Sequence, residues 1–393
     1  MGSRRPDIVI FALAAWDGNY SSTSFSIAKE LSKASRVCYI DNPTTIKDVF
    51  SYRKRNIGKR IHMFFKTKNY ETVNSNLTII YPPLVLPINF LSAGSIYSKL
   101  SRFNSHLVFK SVKRVLNKMS VNDYIFVNSF NPFYDHTKML SPKLFIYHTV
   151  DDITKSPYIK KHGGRLEKEM VETANVVMTT SIRLKEKYDD YSKSVYYLPN
   201  AAEFEVFSIR PKKRPLEYKS IEGEIIIFTG HLDWRSDINI LLNIANSQKD
   251  RTLVCIGPVS LKDNVLSDLK KYKNVVFIPP KPIEELPKYL YYAHCAIIPF
   301  KKNELTESIY PLKVNEYLAT GIPVVATNFS KDIRQFDSVI SIAKKADRFL
   351  DLIENEILED SDEKRSERRQ VASQNTWVFR IKEFWRILDH KIS

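Results

Sequence analysis

The chain reads as an α/β protein of two doubly wound parallel-sheet domains, with a cleft between them and a closing helix at the carboxyl end. Three observations predict this. Its 393 residues fit two domains at about 100–200 residues each. Short apolar runs alternate with helical patterns, as parallel α/β structure requires. That alternation restarts after Pro199-Asn200, midway along the chain.

Strand-like runs in the first half are Asp7–Leu13, Val37–Ile40, Leu77–Ile80, Tyr124–Val127, Leu144–Tyr147, Val176–Thr179 and Val195–Leu198. They are almost continuously apolar, which predicts a sheet covered on both faces. Helical patterns, such as Ser24–Ser32 and Ile96–Asn117, lie between them. After the restart, strands are expected at Ile225–Thr229, Thr252–Ile256, Val275–Ile278, Cys295–Pro299 and Pro323–Ala326. The expected domains are therefore 1–199 and 221–374, joined by a linker at 200–220 that centres on the polar, basic stretch Ser208–Ser220. Residues 375–393 form an amphipathic helix in which Trp377, Ile381, Trp385 and Leu388 share a face, expected to pack back on the first domain.

Apolar residues make up 43% and charged residues 26%, which excludes an intrinsically disordered chain. The formal charge is +16, and residues 1–200 carry 30 Lys and Arg against 16 Asp and Glu, so +14 of it lies in the first half. Such asymmetry favours an anionic partner on that side: a phospholipid surface, a phosphorylated substrate or a nucleic acid. No nucleic-acid-binding signature accompanies it. Basic residues concentrate in Arg53–Lys68, interleaved with Ile61, Met63, Phe64 and Phe65, and in Lys99–Lys118, where Leu100, Phe103, Leu107 and Val115 are apolar. Both suit an anionic membrane surface, or a solvated face over a core stripe. No run approaches the 18 apolar residues of a membrane span, so a cytoplasmic chain touching the membrane peripherally is expected. Cys38, Cys255 and Cys295 sit in apolar runs without ligand spacing and read as reduced, buried thiols.

The stretch most informative about chemistry is Pro299 to Thr327, PFKKNELTESIYPLKVNEYLATGIPVVAT. A strand ends at Pro299, a polar loop follows, a helix opens near Pro311 and closes at Gly321. A helix amino terminus at a crevice offers backbone N–H groups and a partial positive charge suited to a diphosphate. Lys313 in the first turn adds a cation, and Glu316 one turn on can accept hydrogen bonds from a ribose diol. The bland alternative is an ordinary helix with a solvated Lys and Glu.

PLKVNEYLATGIPVVAT resembles the donor-site helix of bacterial GT-B glycosyltransferases related to families 1 and 4. Four further segments resemble the same family in the same order: FIYHTVDD, ANVVMTTSIRL, YLPNAAEFEVF and IIIFTGHLDWRSDINIL. Together they span about residues 145–327. The resemblance implies a GT-B fold whose second domain binds a UDP- or GDP-linked sugar as substrate, with no separate cofactor and no metal. It implies that Glu316 holds the ribose, that the Tyr310–Lys313 turn (Tyr310, Pro311, Leu312, Lys313) meets the diphosphate, and that Gly230 lets the backbone approach the phosphates. Ile278–Lys281 would border the base, with Lys281 at its end. Ser308 stands where family 4 usually carries a sugar-binding Glu, with Glu307 one place earlier. His231 and Ser236 fall where the family's Arg and Lys follow the glycine loop, with Arg235 adjacent.

The first domain would then hold a saccharide or lipid-linked acceptor. Trp16, Asp17, Asn19 and Tyr20 follow the first strand, where aromatic rings can stack on a sugar and polar groups can bind hydroxyls. His148, Asp151 and Asp152 follow the strand LFIYH; either carboxylate suits a general base for an acceptor hydroxyl, or a helix N-cap. The pairs Asp151-Asp152 and Asp189-Asp190 are adjacent, a poor geometry for chelation. The activity expected is sugar transfer in cell-surface polysaccharide or glycolipid synthesis; alternatives are a sugar-nucleotide epimerase or hydrolase of the same fold, or an inactive sugar-nucleotide-binding homologue.

Overall fold

The computed structural model describes residues 5–16, 22–49, 69–155, 159–247 and 250–392. The chain divides into two compact units: Met1–Leu198 with Ile381–Ser393, and Pro199–Arg380.

In the first unit, strands β1 (Asp7–Ala12), β2 (Val37–Ile40), β3 (Tyr70–Asn74), β4 (Leu77–Ile80), β5 (Tyr124–Ser129), β6 (Leu144–Thr149), β7 (Val176–Thr179) and β8 (Val195–Tyr197) form one sheet, ordered β3-β4-β2-β1-β5-β6-β7-β8. All pairings are parallel except β3 with β4. Helices α1 (Thr23–Leu31), α2 (Ile46–Val49), α3 (Ser95–Lys118), α4 (Lys160–Thr173) and α5 (Ile182–Asp189) accompany it. Ser22 and Ser181 cap α1 and α5 by accepting from Phe25 N–H and Leu184 N–H. On helix α3 Phe103 is exposed, and the stripe facing the core runs through Val108, Phe109, Val112, Val115 and Leu116. The basic segment Arg53–Lys68 lies outside the described residues.

The second unit holds α6 (Phe204–Ser208), β9 (Glu224–Thr229), α7 (Ile238–Ala245), β10 (Arg251–Ile256), α8 (Asp263–Lys270), β11 (Val275–Ile278), α9 (Leu286–Leu290), β12 (Cys295–Ile298), α10 (Leu312–Thr320), β13 (Val324–Thr327), β14 (Ser341–Ala343), α11 (Phe349–Leu358) and α12 (Asp362–Gln374). Its sheet is all parallel, ordered β11-β10-β9-β12-β13-β14. The expected linker is not a bare connection. Phe207 and Tyr218 are fully buried in the core of this unit, where each large apolar side chain contributes roughly 1.5–3 kcal/mol.

Helix α13 (Trp377–Ile392) starts in the second unit and ends in the first. The four residues expected to share its apolar face, Trp377, Ile381, Trp385 and Leu388, are all buried.

Each strand order reverses direction once, between β1 and β5 and between β9 and β12. At such a switch point the flanking helices leave on opposite faces and open a crevice at the carboxyl ends of the strands. Those two places are where side chains can converge on a ligand.

Candidate donor and acceptor sites

At the β9/β12 switch point the first determinant is glycine. Gly230 follows β9 at φ 110°, a conformation that L side chains rarely adopt. A Cβ there would sit 2.4 Å from Lys313 Cε and 2.6 Å from Lys313 Nζ, so the glycine leaves the space that the lysine fills. Gly257, after β10, is held at φ 137°, and a Cβ on it would meet the Gly230 carbonyl oxygen at 2.2 Å. The loop after Gly230 is tied down on both sides of the switch point. Leu232 N–H donates to Pro258 O at 2.8 Å, Asp237 N–H to Pro299 O at 2.6 Å and Lys301 N–H to Arg235 O at 2.7 Å.

Helix α10 supplies the other wall. No side chain caps its amino end at Pro311, so that end keeps its partial positive charge for whatever enters the crevice. Gly321 ends the helix at φ 82°. Tyr317 anchors it to β9 by accepting from Thr229 N–H at 3.0 Å. This fixes where Lys313 points: its ammonium lies 5.8 Å from the Phe228 ring centre and 5.9 Å from that of Phe300. Arg235 reaches the same Phe300 ring at 5.9 Å and is held bidentate by Asp233, with Nε 2.9 Å from Oδ1 and Nη2 2.8 Å from Oδ2.

Two cations and a helix end thus surround one small volume. Burial pushes the Lys313 ammonium below the usual lysine range; Glu316 pulls it back and Arg235 adds to the depression. Glu316, one turn deeper and 8% exposed, is pushed up to about 7 by burial, against the opposing pull of Lys313. For Asp233, burial acts upward, but the hydrogen bonds and charge of Arg235 outweigh it and hold the carboxyl below its ordinary value.

The β1/β5 switch point is built differently. Phe130 follows β5 at φ 60°, a strained conformation for a large side chain, and its N–H donates to His148 O at 2.8 Å. Asn128 and Asn131, both fully buried, bracket it. Asn128 Nδ2 donates to Asn131 O at 2.9 Å, and Asn131 Nδ2 donates to Ala12 O at 3.2 Å and Asn42 Oδ1 at 3.3 Å. Asn131 Oδ1 has no hydrogen-bond partner among the described residues. Asp41 accepts from Trp16 N–H and Asn42 N–H, each at 3.0 Å.

The comparisons with known proteins fall on this frame. Residues 223–355, the second unit's sheet and helices through most of α11, match the family described as Glycosyl transferases group 1. The putative teichuronic acid biosynthesis glycosyltransferase TuaH of Bacillus subtilis (strain 168) is similar, 26% identical over 234 residues; the match covers 56% of this chain and 58% of TuaH. The chain therefore matches somewhat over half the length of that relative. Among solved structures, sucrose-phosphate synthase from Thermosynechococcus elongatus superposes with a TM-score of 0.69 at 13% identity, covering 98% of this chain and all (100%) of that one. A trehalose-6-phosphate protein from E. coli bound with UDP-2-fluoro glucose does so at 0.67 and 10% identity, over 97% and 98% of the two chains. The fold is GT-B. The family match lies wholly within the second unit, and it includes the β9/β12 switch point.

Within that GT-B frame, the structure brings together Gly230, Arg235, Pro311, Leu312, Lys313 and Glu316, with His231 at the rim, 2.7 Å from Ser260 Oγ through Nε2. Three expected donor residues are placed otherwise. The Tyr310 side chain is buried beneath the helix, its hydroxyl accepting from Asn315 Nδ2 at 3.0 Å, so only its backbone can face the crevice. Lys281 is paired with Glu217 at 2.9 Å, and Glu217 also accepts from Tyr289 OH at 2.8 Å. Ser308 is buried, its hydroxyl donating to Glu304 O at 3.1 Å, and Glu307 lies 3.7 Å from Lys302.

The acceptor-side residues divide similarly. Asp152 caps the short turn Ile153–Lys155: Thr154 N–H and Oγ1–H donate to Oδ1 at 3.0 and 2.7 Å, and Lys187 Nζ donates at 2.8 Å. Burial acts upward on it, but Lys187 and Thr154 outweigh that and hold the carboxyl low, which suits a cap and not a base. Asp151 beside it is exposed. His148 is also withdrawn. Its Nδ1 is 3.1 Å from Ser129 Oγ, its Nε2 has no partner among the described residues, and burial pushes it down to about 4, so it is a neutral core histidine. The Trp16 ring packs 4.4 Å from Phe25 and 5.1 Å from Tyr39. Asp17, Asn19 and Tyr20 lie outside the described residues.

Four groups carry weight that sequence reasoning passed over. Asn42, Asn128 and Asn131 were signalled only by standing at strand ends. Glu167 was one of many helical glutamates, yet it is fully buried and accepts from Tyr147 OH at 3.0 Å, Thr149 Oγ1 at 2.8 Å and Tyr188 OH. It fixes the β6 end just before Asp151. Among the described residues, no three of His, Cys, Asp and Glu converge as a metal site would need.

Proposed function

We propose that this chain is a glycosyltransferase that takes a sugar from a nucleoside-diphosphate donor at the β9/β12 switch point and passes it to a saccharide or lipid-linked acceptor at the β1/β5 switch point. The observation that carries the reading is Lys313 seated over Gly230 at the uncapped end of α10, with Arg235 across from it and Glu316 one turn deeper. A diphosphate meets two cations and a helix dipole there, and Glu316 is placed to accept from ribose hydroxyls.

In the transfer, the bond from the anomeric carbon to the diphosphate oxygen breaks and its electrons leave with the diphosphate. A bond to the acceptor oxygen forms, and the acceptor proton passes to a base. Lys313, Arg235 and the helix end stabilise the charge that grows on the leaving group. With Asp152 committed to its turn, Asp151 is the carboxylate assigned to the acceptor side.

The products would fit surface polysaccharide or glycolipid synthesis; the relative TuaH is named for teichuronic acid biosynthesis. A cytoplasmic chain held peripherally at an anionic membrane completes the reading. It is supported by the basic first half and by Phe90, Ile96 and Phe103 standing exposed on and before the basic helix α3. No described helix is long and apolar enough to cross a membrane.

Incubation with a panel of UDP- and GDP-sugars, read by thermal stabilisation and by product mass with and without acceptor, tests the proposal. Donor-specific stabilisation and acceptor-dependent consumption are expected. Consumption or epimerisation of the donor with no acceptor present would replace the reading, and no stabilisation by any donor would remove it.

A further inference from the structure

The stretch that composition marks as a linker becomes a pinned, basic wall. Tyr291 OH donates to Ser208 O at 2.8 Å, Tyr292 OH to Pro211 O at 3.2 Å and Tyr218 OH to Tyr289 O at 3.3 Å. Arg214 closes the loop on itself by donating to Ile221 O at 3.1 Å. Phe207 and Tyr218, both fully buried, are the apolar pegs at either end. The segment holds Arg210, Lys212, Lys213, Arg214 and Lys219 in one place against Glu217, which is itself taken by Lys281, so it presents an excess of positive charge.

What the loop overhangs is concave. Two adjoining cavities, of about 720 and 330 Å³, share Arg210, Tyr291, Ala293 and Arg365. Their lining carries Arg210, Arg214, Lys219, Arg365 and Arg369 against Asp360, Asp362 and Glu222. Asp360 is already engaged, accepting from Arg365 at 2.7 Å and from Arg368 at 2.6 Å. Arg369 lines the smaller cavity, Arg214 and Lys219 line the larger, and Arg210 and Arg365 line both. With Arg365 held by Asp360, the remaining cations of the lining, Arg210, Arg214, Lys219 and Arg369, outnumber Asp362 and Glu222, and an anion in the groove relieves that excess.

The groove is remote from the donor cluster. Gly223, His294 and Pro323, which line it, stand just before the amino ends of β9, β12 and β13, whereas Gly230 follows the carboxyl end of β9. Six residues of strand separate the two ends, about 20 Å.

We infer that this groove binds an acidic glycan: a sugar chain carrying carboxylates or phosphates along its length. The volume lies in the range of small-molecule sites and exceeds what a single inorganic anion fills. Guanidinium forks pair bidentately with carboxylate and phosphate, and Tyr291 and Tyr292, whose hydroxyls hold the loop, bring their rings to the lining for a sugar backbone. A bilayer is flat on this scale. It would touch the exposed Lys212 and Lys213 but would not follow the concave lining down to the half-buried Arg369. The polymer's identity rests on the proposed function; the anion site itself does not.

The test uses the full chain with labelled oligogalacturonate, read by fluorescence anisotropy, beside neutral maltooligosaccharide, inorganic phosphate and anionic phosphatidylglycerol vesicles. The wild type should bind oligogalacturonate, more weakly as salt rises, and should not bind the neutral chain. Arg210→Glu with Lys219→Glu, two exposed side chains, should weaken binding by about tenfold or more, while Arg210→Lys with Lys219→Arg retains it. Nucleotide affinity should be unchanged in both variants, so loss of donor binding in the wild type would count against the proposed function and not against the groove. Oligogalacturonate binding that is absent or indifferent to the charge reversal overturns the inference. So does charge-dependent binding of phosphate alone, which marks a simple anion site, or of vesicles alone, which marks a membrane face.

Discussion

The two switch points have the same topology and opposite chemistry. At β9/β12 the crevice is charged: Lys313, Arg235 and Asp233 with a buried Glu316, all within reach of an uncapped helix end. At β1/β5 it is neutral and amide-rich: Asn42, Asn128 and Asn131, with Ser129 and a buried, uncharged His148 behind them. A diphosphate needs the first kind of surface and a polyol the second. The fold therefore supplies two equivalent places, and on the proposed function their side chains would divide the labour between donor and acceptor.

The largest expected effect breaks the acceptor side. Asp151→Asn should lower turnover by about 10²–10⁴, as loss of a general base does. Asp152→Asn should leave more turnover and instead cost roughly 1–2 kcal/mol of stability through the lost cap. Steady-state kinetics beside thermal melts distinguish the two. Equal turnover loss in both variants, with no change in stability, would mean that Asp152 is not the cap its contacts describe.

Next in size is the charged side. Lys313→Ala should reduce kcat/KM by about 10²–10³, by analogy with removal of one donor to a developing anion. Gly230→Ala should produce part of the same loss without touching the lysine, because its Cβ would occupy the position of Lys313 Cε. A full-rate Gly230→Ala enzyme would show that this close approach has no role in catalysis.

Smallest is the effect of salt, which sharpens the contrast. Raising ionic strength shortens the Debye length from about 10 Å at 0.1 M to about 3 Å at 1 M. Nucleotide affinity should fall a few-fold over that range and affinity for a neutral saccharide acceptor should barely move. Equal salt dependence at both sites would remove the division of labour.

The sequence made the buried parallel strands legible because a strand covered on both faces must be apolar throughout. It hid β3, whose residues YETVN are mostly exposed at an antiparallel edge, and the three-residue β14. Helix α10 was readable from both ends, Pro311 and Gly321 being local signals with local causes. Tyr310 and Lys281 turn away from the expected site, and Asp152 takes the cap alternative, for a shared reason: their positions follow from chain spacing, but the direction of a side chain depends on the partners that the fold brings to it. Asn315 draws Tyr310 inward, Glu217 holds Lys281, and Lys187 joins Thr154 in holding Asp152. Composition misled at 208–220, where five cations and two prolines obscure the buried Tyr218, which fixes the segment together with Phe207 just before it.

The central claim is that α10 holds the donor nucleotide, and Glu316 tests it most directly. Calorimetric titration of wild type and Glu316→Ala with UDP and GDP, across about pH 6 to 8, is the measurement. Because burial raises the Glu316 carboxyl to about 7, wild-type affinity should climb with pH through that value as the side chain ionises and can accept both ribose hydroxyls. The same shift has the opposite sign for stability. The folded state holds a proton that the unfolded state has released, so ionising Glu316 costs up to about 3 kcal/mol between roughly pH 4.5 and 7. The variant should bind roughly 1.5–3 kcal/mol more weakly, show no rise in affinity near pH 7, and lose that decline in stability. A folded Glu316→Ala protein with wild-type affinity and the same pH profile would contradict the account.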